Sequence, residues 1–216
     1  LKTQQSYGFD QLTALQHGWD LSVIQLGPAG RPTMARLHET ANVAYVRFRC
    51  GAAYDQRLRS RSGLVSFGLL DADNPTTWTY DQVIPNDAVT VFPADAYLRG
   101  PSPIGFRGSG MHFKASFLAA VSERVYRRPL AMVVPDPGLY VPGQASLMAL
   151  RRELRKWQQL VAHAAHTRPA IIERREETLA LALLGALDSS TAAVEEQRPR
   201  VTARSMAVAL EFIHES

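Results

Sequence analysis

Cysteine is almost missing from this 216-residue chain: Cys50 is the only one, so no internal disulfide can form and the fold must rest on its core. Long apolar runs are missing too. The longest, the interrupted stretch Leu179 to Leu187, falls short of the roughly 18 residues a membrane span requires, so membrane insertion is excluded. The first ten residues, Leu1 to Asp10, lack the charged-then-apolar layout of a signal peptide, and a cytoplasmic chain is expected. Lysine occurs only at Lys2, Lys114 and Lys156, so nearly all the positive charge is guanidinium. High-GC coding bias accounts for this without any function, and planar anion recognition accounts for it with one.

Chemistry of the catalytic kind is also sparse. The six histidines (His17, His38, His112, His163, His166 and His214) form no H-x-H set with a carboxylate and a distant histidine, so no metal site is expected. His163 and His166 share a helix face, but histidine near a helix C-terminus needs no ligand to explain it. There is no G-x-S-x-G elbow, and Cys50 follows an ordinary strand pattern, so no catalytic residue is assigned. The charge sum, 24 basic against 20 acidic residues, is too mild and too dispersed for a compact duplex-binding module.

What is present is a globular composition, 46% hydrophobic and 20% charged, that fits one large domain or two small ones. The first half reads as strands. Asp20 to Leu26, Asn42 to Phe48, Gly63 to Leu69, Thr76 to Tyr80, Ala88 to Phe92 and Phe106 to Phe113 are short, rich in β-branched and aromatic residues, and bounded by Gly, Pro or Asn/Asp turns. Pro85-Asn86-Asp87 predicts a tight turn into a strand that Pro93 ends. Many short strands at this spacing point to a sandwich or barrel.

The second half changes period. Ser116 to Tyr126 sets Phe117, Val121 and Val125 on one helical face. Gln144 to His163 sets Leu147, Leu150, Leu154, Trp157 and Val161 in a stripe, with Arg151, Arg152, Arg155 and Lys156 opposite. That basic face is read as ordinary solvated surface, since Glu153 interrupts it. The stripe either docks on the barrel or pairs two copies of the chain. Thr167 is placed to cap a third helix that starts at Pro169 and reaches about Leu187. The expected organisation is α+β: a β-barrel over residues 1–115, a helical region for packing and dimerisation over 116–187, a polar linker over 188–200, and a new amphipathic helix over 201–216. That last helix has an apolar face with no partner, as if the chain stopped inside a longer protein.

The densest charge is Arg57-Leu58-Arg59-Ser60-Arg61, preceded by Arg47 and Arg49. On a strand, Arg57, Arg59 and Arg61 share one side over about 13 Å. Two readings stand: an edge strand using charge against aggregation, or a receptor for an anion. Trp78, Tyr80, Tyr97 and Trp157 are the aromatic candidates for stacking on a ligand.

The Pro85-Asn86-Asp87 turn, the helical second half and the run Arg204 to Ser216, with Arg204, Val208, Ala209, Phe212 and Ile213 near an R-x-x-x-A-x-x-[YF]-I pattern, resemble the AraC/XylS family of transcription regulators. That resemblance implies a cupin-like β-barrel of jelly-roll type that binds an effector, helices that carry homodimerisation, and DNA contact through C-terminal helix-turn-helix modules lying beyond Ser216. Arg57-x-x-x-Arg61 is similar to the R-x-x-x-R motif with which PilZ domains hold cyclic di-GMP. The partner motif, [D/N]-x-S-x-x-G, has its counterpart at Gly100-Pro101-Ser102-Pro103-Ile104-Gly105, with Gly100 in place of the acid or amide. The resemblance implies a cyclic di-GMP effector held by Arg57, Arg59, Arg61, Ser102 and Gly105 with Trp78 stacking, and no cofactor. A small organic effector inside the barrel, or a cupin-like metabolic enzyme, are the alternatives.

Overall fold

The computed structural model describes residues 2–7, 19–71, 73–75, 78–79, 82–163 and 167–192. The strands are β1 (Lys2–Tyr7), β2 (Trp19–Gln25), β3 (Met34–Glu39), β4 (Val43–Arg49), β5 (Tyr54–Ser60), β6 (Leu64–Leu70), β7 (Trp78–Thr79), β8 (Gln82–Val83), β9 (Val89–Val91), β10 (Leu98–Ser102), β11 (Arg107–Lys114), β12 (Gly138–Val141) and β13 (Thr191–Ala192). The helices are α1 (Ala115–Tyr126), α2 (Gln144–Ala162) and α3 (Pro169–Asp188). Tyr80, His17, His166, His214 and the helix expected over 201–216 lie outside the described residues.

A large antiparallel sheet in the order β1-β3-β4-β11-β6-β9-β12-β13 faces a small one in the order β10-β5-β2, and β7-β8 form a separate ribbon. The architecture is α+β, a cupin-like sandwich with helices on one side. Period-two alternation explains it. On β4, Val46 and Phe48 point between the sheets, where Val46 meets Trp19, Leu37 and Leu58. Val43 and Tyr45 point the other way, into a second core with Leu118, Leu150, Trp157 and Leu183 from the helices. β11, central in the large sheet, is buried on both faces from Gly108 to Phe113. Gly110 is required there: a Cβ at that position would lie 2.1 Å from the Trp19 ring.

The α2 stripe is spent on packing. Leu147, Leu150, Leu154, Trp157 and Val161 are all buried in the helix-side core. Burying a side chain of this size is worth about 1.5–3 kcal/mol, enough to fix the helix layer on the sheet. The expected cap at Thr167 is corrected: Arg168 is the N-cap, with extended φ/ψ and no side-chain hydrogen bond. Pro169 at the first helical position forces this, because the residue before a proline is pushed out of the helical region. The Pro85-Asn86-Asp87 turn forms, with Ala88 N–H donating to the Pro85 carbonyl at 3.0 Å. It delivers the chain into β9, which pairs with β6 and β12.

Candidate functional site

β5 is built to show arginine to solvent. Tyr54, Gln56, Leu58 and Ser60 are buried between the sheets, so Asp55, Arg57 and Arg59 stand on the outer face of the small sheet. Consecutive residues on that face are about 7 Å apart along the strand. Arg61 lies one residue past the strand, in a three-residue turn that carries the chain from the small sheet to the large one and is closed by Leu64 N–H to the Arg61 carbonyl at 3.0 Å. Gly63 supplies the left-handed residue that this loop needs, at φ +79°.

Antiparallel register sets the neighbours. Asp20 of β2 lies opposite Arg59, and Ser22 lies opposite Arg57. From the other side, Arg99 of β10 lies opposite Arg57. Arg59 donates to Asp20 Oδ2 from Nε at 3.0 Å and from Nη2 at 2.8 Å. The Tyr97 hydroxyl donates to the same oxygen at 2.8 Å, while the Arg59 guanidinium carbon sits 4.8 Å from the centre of the Tyr97 ring. The Tyr97 hydrogen bond, then Arg59, hold the Asp20 carboxyl below its ordinary value, and Asp20 raises the Tyr97 phenol in return. Arg99 donates from Nη2 to Asp55 at 2.7 Å. Arg57 and Arg61 are exposed, and neither has an ion pair or side-chain hydrogen bond among the described residues. Asp20, Arg59, Arg61, Ser62, Gly63 and Asp95 line an open cleft of about 610 Å³ at this end of the sheet.

The other expected site residues go elsewhere. Ser102 is corrected off this face: it is buried, accepts a hydrogen bond from Gln56 Nε2, and lines an interior cavity. The reason is parity, because β10 pairs with β5 in a register that sends Leu98 and Ser102 inward with Tyr54 and Leu58. Gly105 is corrected likewise. It sits at φ +82° in the turn between β10 and β11, with its N–H donating to the Cys50 carbonyl at 2.9 Å, away from the arginine face. The backbone of Trp78 pairs with Val83 in the β7-β8 ribbon.

Sequence reasoning missed Asp20, Ser22 and Arg99 as members of this face, while Tyr97, a stacking candidate, lies beside Asp20 and Arg59. A signal for two of them was available. Asp20-Leu21-Ser22 carries the acid and hydroxyl of the D-x-S half-pattern, with Gln25 where the pattern asks for glycine, and it lies on the strand bonded directly to β5.

Between the sheets lies a cavity of about 70 Å³ whose lining includes Trp19, Phe48, Gln56, Leu58, Phe92 and Ser102. It is mostly apolar, and the Trp19 indole Nε1 is buried without an acceptor among the described residues. Cys50 is buried, and burial pushes its thiol up to about 12, which removes it as a nucleophile at neutral pH. Among the described residues no three His, Cys, Asp or Glu side chains gather as metal ligands, and no helix is long and apolar enough to cross a membrane.

No family model and no curated protein matches the chain. Among solved structures, it is similar to the crystal structure of the AraC-like transcriptional activator CuxR, with a TM-score of 0.61 and 10% identity over 97% of this chain and 79% of that one. At this identity the likeness speaks to the fold. A partial match to an oxalate decarboxylase has a TM-score of 0.25 and 12% identity over 46% of this chain and 30% of that one.

Proposed function

We propose that this chain is the ligand-sensing region of an AraC-type transcription regulator, and that its effector is cyclic di-GMP, bound on the outer face of β10-β5-β2. The observation that carries the reading is the pair Arg57 and Arg61: two exposed guanidinium groups with no ion pair or side-chain hydrogen bond among the described residues, on either side of Arg59, with Arg61 lining an open cleft. Like charges collected in this way repel unless an anion or solvent compensates them. A dianionic purine dinucleotide supplies phosphates for bidentate Arg, guanine O6 and N7 for a second fork, and flat faces for stacking. Each good fork to guanine is worth about 1–3 kcal/mol in discrimination, so two with stacking reach micromolar affinity.

The likeness to an AraC-like activator supports the regulatory half of the reading. In this proposal the chain works in the cytoplasm as a homodimer, DNA is contacted by C-terminal helix-turn-helix modules, and the ligand acts by population shift. An effector that prefers one arrangement of the dimer by about 2.7 kcal/mol changes DNA affinity 100-fold. No catalytic step and no cofactor is part of it.

The second reading, a small organic effector inside the barrel, draws on the interior cavity with its Gln56–Ser102 pair. At about 70 Å³ the cavity takes a molecule of only a few heavy atoms without rearrangement, which favours the outer face for a dinucleotide. Calorimetry with cyclic di-GMP decides between them. Binding that is lost in Arg57→Ala and Arg61→Ala and kept in Ser102→Ala supports the outer site. Silence with the intact chain ends the dinucleotide reading, and loss in Ser102→Ala alone moves the ligand inside.

A further inference from the structure

A second cluster of arginines lies on the other sheet, in a place that the cyclic di-GMP reading does not use. On β3 and β4, His38 and Tyr45 lie under α2, each with its ring centre about 6.5 Å from Trp157. Two residues further along the same faces come Arg36 and Arg47, and there the helix layer stops. The uncovered corner of the large sheet forms a groove of about 390 Å³ lined by Met34, Arg36, Arg47, Arg49, Asp71 and Arg107. That volume lies in the range of small-ligand sites.

Register makes this corner electrostatically expensive. Arg36 lies directly opposite Arg47, and Arg49 lies directly opposite Arg107 on its other side. Like charges facing each other across a ladder destabilise it. Asp71 accepts from Arg47 Nη2 at 2.7 Å, and Asp73 pairs with Arg107. The Arg49 side chain has no ion pair or hydrogen bond among the described residues, although it is half-buried. Arg107 Nε is buried without an acceptor there. Two underused donor groups, on Arg49 and Arg107, therefore meet beside the Met34 side chain.

We infer that this groove is a second binding site, for a compact and multiply charged oxyanion, a phosphoryl compound or a polycarboxylate, held by Arg49 and Arg107 with Arg36 and Arg47 at its edges. The groove is lined by sheet and loop residues, and its link to the helix layer runs through Leu70, which precedes Asp71. Arg151 of α2 crosses to the Leu70 carbonyl at 3.1 Å and the Asn86 carbonyl at 2.9 Å, next to Asp71 in the chain.

The test is calorimetry on the full chain at low ionic strength, with inorganic pyrophosphate in one arm and citrate in the other. The expected result is one-to-one binding that Arg49→Ala or Arg107→Ala weakens by about tenfold or more, the loss of one charge-assisted hydrogen bond. Arg57→Ala and Arg61→Ala leave it unchanged, which keeps this outcome separate from that of the cyclic di-GMP site. Binding in the pyrophosphate arm alone identifies a phosphoryl ligand, and binding in the citrate arm alone a polycarboxylate. Arg155→Ala removes one exposed charge from α2; an equal weakening there means diffuse attraction and overturns the site. Silence of both probes at millimolar concentration overturns it as well, as does an Arg49-dependent preference for polyglutamate, which would mark a protein surface. If Arg49→Ala does not fold, Arg49→Lys keeps the charge, removes the fork and carries the same test.

Discussion

The Tyr97 hydroxyl donates to Asp20 at 2.8 Å, and the same carboxylate oxygen takes both hydrogen bonds of the Arg59 fork. Asp20 thus occupies, from within the chain, the place on Arg59 that an anionic ligand would take. Arg57 and Arg61, on either side, form no ion pair or side-chain hydrogen bond among the described residues.

Tyr97→Phe keeps the ring under Arg59 and removes the hydrogen bond that is the largest cause of the lowered Asp20 pKa. The Asp20 carboxyl is expected to titrate closer to the ordinary carboxylate range in the variant, while the melting temperature moves by less than about 2 °C, as for an exposed substitution. Carbon-detected NMR of the Asp20 carboxyl reads the shift. An unchanged titration would show that Tyr97 does not hold Asp20.

Gly110→Ala places a methyl group where the Trp19 indole now lies, since the Cβ would be 2.1 Å from Cη2 and 2.3 Å from Cζ2. The Gly110 backbone is fixed in the ladder between β4 and β6, so the indole must move. The expected loss is about 1–3 kcal/mol, or roughly 3–10 °C in melting temperature. A change in tryptophan fluorescence should accompany it. A variant as stable as the parent would mean the inter-sheet core repacks freely.

Burial, with the nearby Arg36 charge adding to it, lowers the pKa of His38 below its ordinary 6.5. The folded chain therefore favours neutral His38, and the unfolded chain binds a proton first. This contribution is full above about pH 6.5 and is lost as the pH falls from there through the lowered folded value. Thermal melts between pH 5 and 7.5 should show stability falling on acidification, with a shallower slope in His38→Gln. Parallel slopes in the two proteins would reject this assignment.

Cys50 should resist thiol reagents in the native chain at pH 8, because its thiol is buried and its pKa is raised to about 12. Labelling by a chromogenic disulfide is expected only on unfolding. Fast native labelling would place Cys50 at the surface.

Much of the fold is readable from residue type. β2, β4, β6, β9 and β11 fall within a residue or two of their expected bounds, because buried strands need the Val, Tyr and Phe runs that announce them. β10 was not readable: Leu98-Arg99-Gly100-Pro101-Ser102 contains the residues that normally end strands, and it survives as the sheet edge, where Pro101 costs little. β3 carries Met, Arg, Leu, His and Glu, which favour no strand, and is held by β1 and β4.

For the candidate site, Arg57 and Arg59 sharing a face follows from alternation alone. The inward turn of Ser102 does not. Which face a residue of β10 takes depends on its pairing with β5, and a slip of one residue would have reversed it. The partners Asp20 and Ser22 were hidden for the same reason, being distant in sequence and adjacent only through the ladder.

From Gly108 to Phe113, β11 has no side open to water: Gly110 and His112 face Trp19 between the sheets, while Met111 and Phe113 press into the helices. A strand held in this way cannot tilt without being felt in both layers. Anything that shifts Trp19 by even an ångström is handed on to the seat of Leu118 and Leu150, so the two halves of the molecule behave as one mechanical piece.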